Sequence, residues 1–165
     1  MKYVSVAVDG PAGSGKSTIT KMVAKSLGFN YVDTGAMYRA LTYNFLSNGL
    51  DELEEEKIKG LLGKIEFKVE YVDGAQYVYV NDEEVSDKIR TAEVSKFTSL
   101  FAKSRAVRDF LIDTQRNLAN TNNIIMDGRD IASVVLPNAD VKIFLTASVE
   151  ERARRRMLDF ERQGI

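Results

Sequence analysis

A glycine-rich loop between an apolar strand and a helix constrains this chain more than any other feature. Residues 10–17 read G-P-A-G-S-G-K-S and fit the pattern G-x-x-x-x-G-K-[ST]. Residues 5–8 lie in a valine-rich run that predicts a strand buried in a parallel sheet. Apolar residues at helical spacing follow the loop as far as Gly28, which suits a helix end: Ile19, Met22, Val23 and Leu27. This strand, loop and helix predict the start of an α/β fold.

The loop predicts a site for a nucleoside triphosphate. Its glycines let backbone N–H groups point inward, and the N-terminus of the next helix attracts phosphate oxygens. Lys16 can bridge the β- and γ-phosphates, and the Ser17 hydroxyl can bind Mg²⁺. The predicted ATP-binding residues are Gly10, Pro11, Ala12, Gly13, Ser14, Gly15, Lys16, Ser17 and Thr18. Motors, switches and small-molecule kinases share such a loop, so a second substrate must decide the function.

The amino-acid composition limits the kinds of site and catalysis that this chain can support. The chain has 165 residues, 44% of them hydrophobic and 28% charged, with a net charge of −1, which fits one packed domain with a modest insertion. That charge predicts no general affinity for nucleic acid or a membrane. The sequence contains no cysteine and no histidine, which excludes thiol catalysis, imidazole bases and Cys/His zinc sites. The first apolar run is too short for a signal peptide, so a cytoplasmic enzyme is expected.

The middle of the chain interrupts the α/β rhythm. Residues 29–33 predict a second strand, and the helix after it should stop at Asn48-Gly49. Alternating apolar residues over 65–71, a turn at Asp73-Gly74 and a strand at 76–80 then predict a small antiparallel sheet inserted into the parallel domain.

After two more predicted helices, one with Val94 and Phe101 and one with Leu111, the parallel sheet resumes. Strands are expected at 123–127 and 141–145. Ser148, with Glu151 three residues later, matches a capping box and predicts a further helix.

Polar residues follow the second predicted strand, where ligands bind in open α/β sheets. Thr34 and Arg39 are therefore candidate ligand contacts. A guanidinium can hold a monophosphate with two parallel hydrogen bonds. The alternative is a capping threonine and a solvated arginine.

A second polar segment, D-G-R-D at residues 127–130, follows the next core strand. Asp127 could orient metal-bound water, Arg129 could neutralise phosphate, and Asp130 could accept a hydrogen bond from an exocyclic amine. The alternative is a turn whose charges face water. Ser99 and Arg108 lie in or beside the two mid-chain helices. Their spacing alone does not show whether they are surface residues or ligands.

These motifs together resemble the bacterial-type cytidylate kinases, in the nucleoside monophosphate (NMP) kinase group of P-loop NTPases. The resemblance rests on V-A-V-D-G-P-A-G-S-G-K-S-T, Y-V-D-T-G-A-M-Y-R, D-G-R-D-I, and V-K-I-F-L-T-A-S with E-E-R-A-R-R-R, in family order. It implies a single P-loop kinase domain over 1–165, with a parallel sheet flanked by helices. An NMP-binding insertion is expected at about 35–110 and the start of a lid at about 150–165.

Two departures accompany the resemblance. Thr34 stands where the family usually has serine, and Ala132-Ser133 replaces the usual Gly-Thr. Family members also continue further, so a C-terminal part is expected to be missing.

The resemblance implies transfer of the γ-phosphate of ATP to CMP or dCMP with Mg²⁺, giving CDP or dCDP and ADP. It implies that Lys16 and Arg129 are catalytic and that the metal is held by Ser17 and, through water, by Asp127. The implied CMP-binding residues are Thr34, Arg39, Ser99, Arg108, Arg129 and Asp130. Cytosine offers an N4 amino donor to Asp130, whereas uracil offers a carbonyl, so CMP should be preferred about ten- to a hundredfold over UMP.

Two other functions stay open at this point. One is another small-molecule P-loop kinase acting on UMP or AMP, against which D-G-R-D-I with Arg108 argues. The other is a non-catalytic nucleotide-binding switch, for which a guanine-reading N-K-x-D would be expected and is absent. The expected partners are ATP and CMP or dCMP, without nucleic acid or membrane, for a monomeric chain. A third alternative is that the 165-residue form binds ATP but is inactive without its C-terminal part. The preference between CMP and dCMP, and the roles of Arg154, Arg155 and Arg156, stay open.

Overall fold

A computed structural model describes residues 2–163, except for some side chains of the last helix: Arg156, Asp159, Phe160, Arg162 and Gln163. The chain divides into two compact units. The first runs to Val32 and resumes at Asn122, and the second is Asp33–Thr121.

Strands and helices alternate towards the two ends of the chain, and consecutive strands and consecutive helices interrupt that alternation in the middle, as the sequence predicts. In chain order they are β1 (Ser5–Asp9), α1 (Lys16–Leu27), β2 (Asn30–Asp33), α2 (Thr34–Ser47), α3 (Glu55–Leu62), β3 (Phe67–Val72), β4 (Ala75–Val80), β5 (Glu83–Glu84), α4 (Ala92–Phe101), α5 (Arg105–Thr121), β6 (Ile124–Gly128), β7 (Val141–Phe144) and α6 (Val149–Gln163). A short π-helix, Ile131–Val135, lies between β6 and β7. The mixed α/β class is confirmed.

A parallel sheet organises the first unit. Its strand order is β2-β6-β1-β7, and β1 runs parallel to both β6 and β7. In this register Asp9, at the end of β1, lies opposite Gly128 on one side and Phe144 on the other. Because parallel strands end at the same edge of a sheet, the loop after β1 lies beside the D-G-R-D segment, whose first two residues end β6.

Helix α1 forms where predicted, but the apolar stripe that predicted it is not its packed face. Thr20 and Ala24 are the buried residues of α1, and Ala24 joins a core cluster with Val6, Val8, Tyr31 and Ile125. Small side chains on the sheet side let the helix lie close to the strands. The stripe itself is exposed, with fractions of 42–68%: Ile19, Met22, Val23 and Leu27.

The second unit contains the predicted antiparallel sheet, in the order β3-β4-β5. Phe67 pairs with Val80 at one end of the β3–β4 hairpin, and Val72 pairs with Ala75 at the other. The connecting turn has positive φ at both Asp73 (52°) and Gly74 (78°), which the two-residue hairpin turn requires. The hairpin prediction is confirmed.

One core cluster of the second unit lies between α2 and this sheet. Ala36 and Ala40, one turn apart on α2, cluster with Val78 and Val80 of β4. Further core members are Val85, Ile89 and Val94. Alanines on the facing side of α2 let the helix approach the strand closely.

Local hydrogen bonds account for several helix ends. Ser148 accepts the N–H of Glu151 at 3.2 Å, which is one half of the predicted capping box. The Glu151 carboxylate accepts from Arg154 and Arg155. Ser104, fully buried, accepts the N–H of Val107 at 3.3 Å at the start of α5 and donates to Glu55 of α3 at 2.9 Å. Helix α3 and the π-helix were not predicted from the sequence.

Within the described residues, no helix is long and apolar enough to span a bilayer.

Asp140 joins the starts of two neighbouring strands. Its carboxylate accepts hydrogen bonds from Lys2 Nζ at 2.6 Å and from the Ser5 N–H at 3.0 Å. The hydrogen bond from Lys2 and those from Ser5 lower the pKa of Asp140 to about 2 from 3.8. A carboxyl whose pKa is lowered on folding stabilises the folded state above its unfolded pKa, and this contribution is lost as pH falls through the folded pKa.

We therefore predict that Asp140→Asn lowers the melting temperature at pH 7 by about 2 °C, and that the difference from the parent disappears between about pH 4 and pH 2. Thermal melts by circular dichroism at a series of pH values measure this. Asp51→Asn, at an exposed carboxylate of the second unit, is the control and should leave the melting temperature unchanged. A difference that persists at pH 2 would contradict the assignment.

Candidate active site

The loop after β1 depends on glycine at two kinds of position. Gly10 has φ +151°, and a Cβ there would collide with the carbonyl oxygen of Leu145, just past β7. Gly15 has φ +93° as the N-cap of α1. Both conformations are left-handed, and a side chain would strain them. The glycines thus let the backbone approach β7 and then turn into the helix.

Lys16 is the first residue of α1, and its ammonium lies over the loop. Nζ donates to the carbonyl of Gly10 at 2.6 Å and to that of Pro11 at 2.9 Å. Burial lowers the pKa of Lys16, while the nearby carboxylate of Asp127 opposes that shift. The cation is therefore held where phosphates bound by the loop would meet it.

Ser17 and Asp127 place two oxygen donors side by side. The Ser17 hydroxyl donates to Asp127 Oδ2 at 2.7 Å, and the Tyr31 hydroxyl donates to Oδ1 at 3.0 Å. Asp127 is buried near the end of β6, so both of its oxygens have a protein donor. Hydroxyl and carboxylate oxygens are the ligands that Mg²⁺ prefers. Tyr31 was missed by sequence reasoning, which saw only an aromatic residue in a strand.

Asp9 fixes the segment that follows D-G-R-D. Its buried carboxylate accepts the N–H of Ile131 at 2.7 Å and that of Ala132 at 2.9 Å, at the start of the π-helix. Asp130 is half-buried as the N-cap of that helix, and Arg129 is exposed just before it. Sequence reasoning treated Asp9 only as the end of a strand; an acid directly before a glycine-rich loop was the available signal.

The arginines of α6 differ in their contacts. Arg155 donates from Nη1 to the Gly13 carbonyl at 3.4 Å and from Nε to Glu151 at 2.7 Å. Arg154 forms two hydrogen bonds to Glu151, both at 2.9 Å. These bonds, with the one from Arg154 first, lower the pKa of Glu151 to about 2. Of Arg154 and Arg155, Arg155 is the one that forms a hydrogen bond with the loop. The side chain of Arg156 lies outside the described residues.

In the second unit, Asp33 rather than Thr34 caps α2. Asp33 Oδ1 accepts the N–H of Ala36 at 2.9 Å, and Oδ2 pairs with Arg39 Nη2 at 3.4 Å. Thr34, the first helical residue, is buried. The alternative of a capping threonine beside a solvated arginine is therefore wrong: the cap is the aspartate, and Arg39 is half-buried and paired.

The other acceptor-site candidates of this unit lie on two further helices. Ser99 is exposed on α4, and Arg108 is half-buried on α5. Both helices pack against α2.

Removing one acceptor at Asp9 tests its hold on the segment that follows D-G-R-D. We predict that Asp9→Asn destabilises the protein by about 1–3 kcal/mol, because the amide NH₂ cannot accept one of the two backbone N–H groups that donate to the carboxylate. Urea unfolding measures the change in free energy. Ser133→Ala, at an exposed residue of the same π-helix, is the matched control and should cost less than about 0.5 kcal/mol. Equal effects of the two substitutions would contradict this role.

Comparison with known proteins supplies the family. Residues 6–165 match the family model described as cytidylate kinase. A curated cytidylate kinase from Halalkalibacterium halodurans is 51% identical over 165 residues, covering 100% of this chain and 74% of that protein. One from Leuconostoc mesenteroides is 50% identical with the same coverage. One from Caldicellulosiruptor bescii is 48% identical over 164 residues, covering 99% of this chain and 73% of that protein.

Among solved structures, the crystal structure of TT1252 from Thermus thermophilus aligns with a TM-score of 0.45 and 21% identity, over 100% of this chain and 75% of that one. That score is too low to support an argument. The family model and the curated relatives agree over nearly the whole chain, and this protein therefore belongs to the cytidylate kinase family.

Proposed function

We propose that this chain performs the reaction of its family, transferring the γ-phosphate of ATP to CMP or dCMP to give ADP and CDP or dCDP. The observation that carries the proposal is the contact between Ser17 and Asp127 beside Lys16 at the glycine-rich loop. A phosphate cradle, a cation and two metal-suited oxygens are the parts that phosphoryl transfer needs.

The ATP phosphates would be bound by residues 10–18, through backbone N–H groups and the Lys16 ammonium. The oxygens of Ser17 and Asp127 fit Mg²⁺, with Asp127 acting through water. Among the described residues, no group of three or more Asp, Glu, His or Cys side chains could hold a metal ion, so phosphate oxygens and water would supply the other ligands. Bound there, the metal neutralises charge on the transferring phosphoryl group.

For the acceptor, we assign the CMP phosphate to Arg39 and Arg129, whose planar guanidinium groups match phosphate oxygens. Arg129 would also be catalytic, together with Lys16, by neutralising charge that develops during transfer. The nucleoside would be bound by Thr34, Ser99, Arg108 and Asp130.

Asp130 would accept a hydrogen bond from the N4 amine of cytosine.

The ion pair of Arg39 with Asp33 supports the assignment of Arg39, because it already holds the guanidinium at the start of α2.

The reaction needs no general base. The attacking group is a phosphate oxygen that is anionic at neutral pH, which agrees with a sequence that contains no histidine. The protein's contribution is to position the two phosphates in line and to neutralise their charge.

The same proposal covers the organisation of the chain. The second unit, Asp33–Thr121, would be the NMP-binding subdomain, and the region of α6 would begin a lid. The enzyme would work as a monomer in the cytoplasm, where ATP and CMP are available.

Loss of one metal-suited oxygen should slow the reaction. We predict that Ser17→Ala lowers kcat by about 10- to 100-fold and raises the Mg²⁺ concentration needed for half-maximal rate. A coupled assay of ADP release with ATP and CMP measures both. Ser26→Ala, at an exposed residue of α1, is the control and should leave both values unchanged. An unaltered Mg²⁺ requirement in Ser17→Ala would contradict the metal assignment.

Replacing the cytosine acceptor should relax base choice. We predict that Asp130→Asn lowers the ratio of kcat/KM for CMP to that for UMP by about tenfold or more, because an amide can pair with either base. The assay uses CMP, dCMP, UMP, AMP and no acceptor. An unchanged ratio would contradict a role of Asp130 in base recognition. If the parent phosphorylates UMP and AMP as fast as CMP, a kinase of broader specificity is favoured. If the parent hydrolyses ATP without an acceptor, a nucleotide-binding switch is favoured.

A further inference from the structure

A glutamine of the antiparallel sheet holds the backbone at which α2 begins. Gln76 lies in β4, and its Oε1 accepts the N–H of Asp33 at 2.8 Å while its Nε2 donates to the carbonyl of Asp33 at 3.2 Å. One side-chain amide thus satisfies both backbone groups of a single residue, as a neighbouring strand would. Both residues belong to the second unit.

Strand geometry explains why Gln76 reaches this point. Alternate residues of a strand share one face, so Gln76 lies on the same face of β4 as Val78 and Val80. Those two valines are buried in a cluster with Ala36 and Ala40 of α2. The apolar packing sets the separation of strand and helix, and Gln76 is the polar end of the same contact.

The residue that Gln76 holds organises the start of α2. Asp33 caps the helix through the N–H of Ala36 and pairs with Arg39. Thr34 follows directly and is buried. Fixing the peptide groups of Asp33 therefore fixes the position from which the Thr34 hydroxyl and the Arg39 guanidinium are presented.

We propose that Gln76 is a positioning residue for the acceptor nucleotide. It acts through Asp33, without touching substrate itself, and the inference rests on the proposed roles of Thr34 and Arg39 in CMP binding. Without the amide, the N–H and carbonyl of Asp33 lose these partners, and the first turn of α2 gains freedom that CMP binding has to remove. The antiparallel sheet thereby takes part in substrate binding through one side chain.

Gln76→Met tests this, because methionine keeps the length and volume of glutamine and removes both hydrogen bonds. The KM for CMP should rise about three- to tenfold, while the KM for ATP should stay within about twofold of the parent. The Kd of CMP, measured by calorimetry without ATP, should rise by the same factor as its KM. A residue with only a structural role would not affect the two substrates differently.

Val78→Ala is the matched control on the same face of β4. It truncates a buried neighbour that makes no side-chain hydrogen bond, so it should lower the melting temperature at least as much as Gln76→Met and leave the KM for CMP within about twofold. An equal rise in the KM for CMP in both variants would mean general loosening of the unit and would overturn the inference. An unchanged KM for CMP in Gln76→Met, or equal rises for CMP and ATP, would overturn it as well.

Arg39→Met separates this inference from the proposed function. If Arg39→Met raises the KM and Kd for CMP and Gln76→Met does not, the role of Gln76 fails and the CMP site stands. If Arg39→Met changes neither value, the proposed CMP site fails, and the inference fails with it.

Discussion

The parallel pairing of β1 with β6 is the constraint on which the first unit's site depends. It brings the last residues of both strands to one edge of the sheet, with Asp9 opposite Gly128 and Val8 opposite Asp127. From that edge the glycine-rich loop leads into α1, where Ser17 meets Asp127. A slip of the register by one residue would turn Asp127 to the other face of the sheet and separate the two oxygens.

Two buried carboxylates fix the conformation of the segments at this edge of the sheet. Asp127 accepts hydrogen bonds from two hydroxyls, and Asp9 accepts two backbone N–H groups. A buried carboxylate is costly unless its oxygens are paired, so each one specifies the conformation of the segment that supplies its donors. Asp9 of β1 thereby holds the two residues that follow D-G-R-D, while Arg129 within that motif stays exposed.

In the second unit, apolar packing and a side-chain amide position the polar residues at the start of α2. Alanines on α2 and valines on β4 set the distance between helix and sheet, and Gln76 then reaches Asp33 at the end of that interface. The cap supplied by Asp33 and its ion pair with Arg39 follow from the same point. Apolar packing determines where the elements lie, and a few directional hydrogen bonds determine how the polar side chains are presented.

The spacing of apolar residues and the positions of turn and cap residues were enough to predict most elements. Strands bury alternate residues, helices bury helically spaced ones, and glycine often marks the end of either. The hairpin at Asp73-Gly74 and the cap at Ser148 show this. Helix α1 shows the limit: its apolar stripe predicted a helix correctly, yet Thr20 and Ala24 are the residues that face inward. Helix α3 carries a short helical pattern that was overlooked, with Glu55 and Glu56 in its first turn and Ile58, Leu61 and Leu62 at helical spacing. The five-residue π-helix is too short to show such a pattern.

The sequence by itself determined the loop, the order of the elements and the motifs by which the family is recognised, since these depend on residue types at short spacing. Only the tertiary structure decided that Asp9 holds the π-helix, that Tyr31 orients Asp127 and that Gln76 holds Asp33. Each of these contacts joins residues far apart in the chain. Their partners are selected by sheet register and helix packing, which short sequence patterns do not encode.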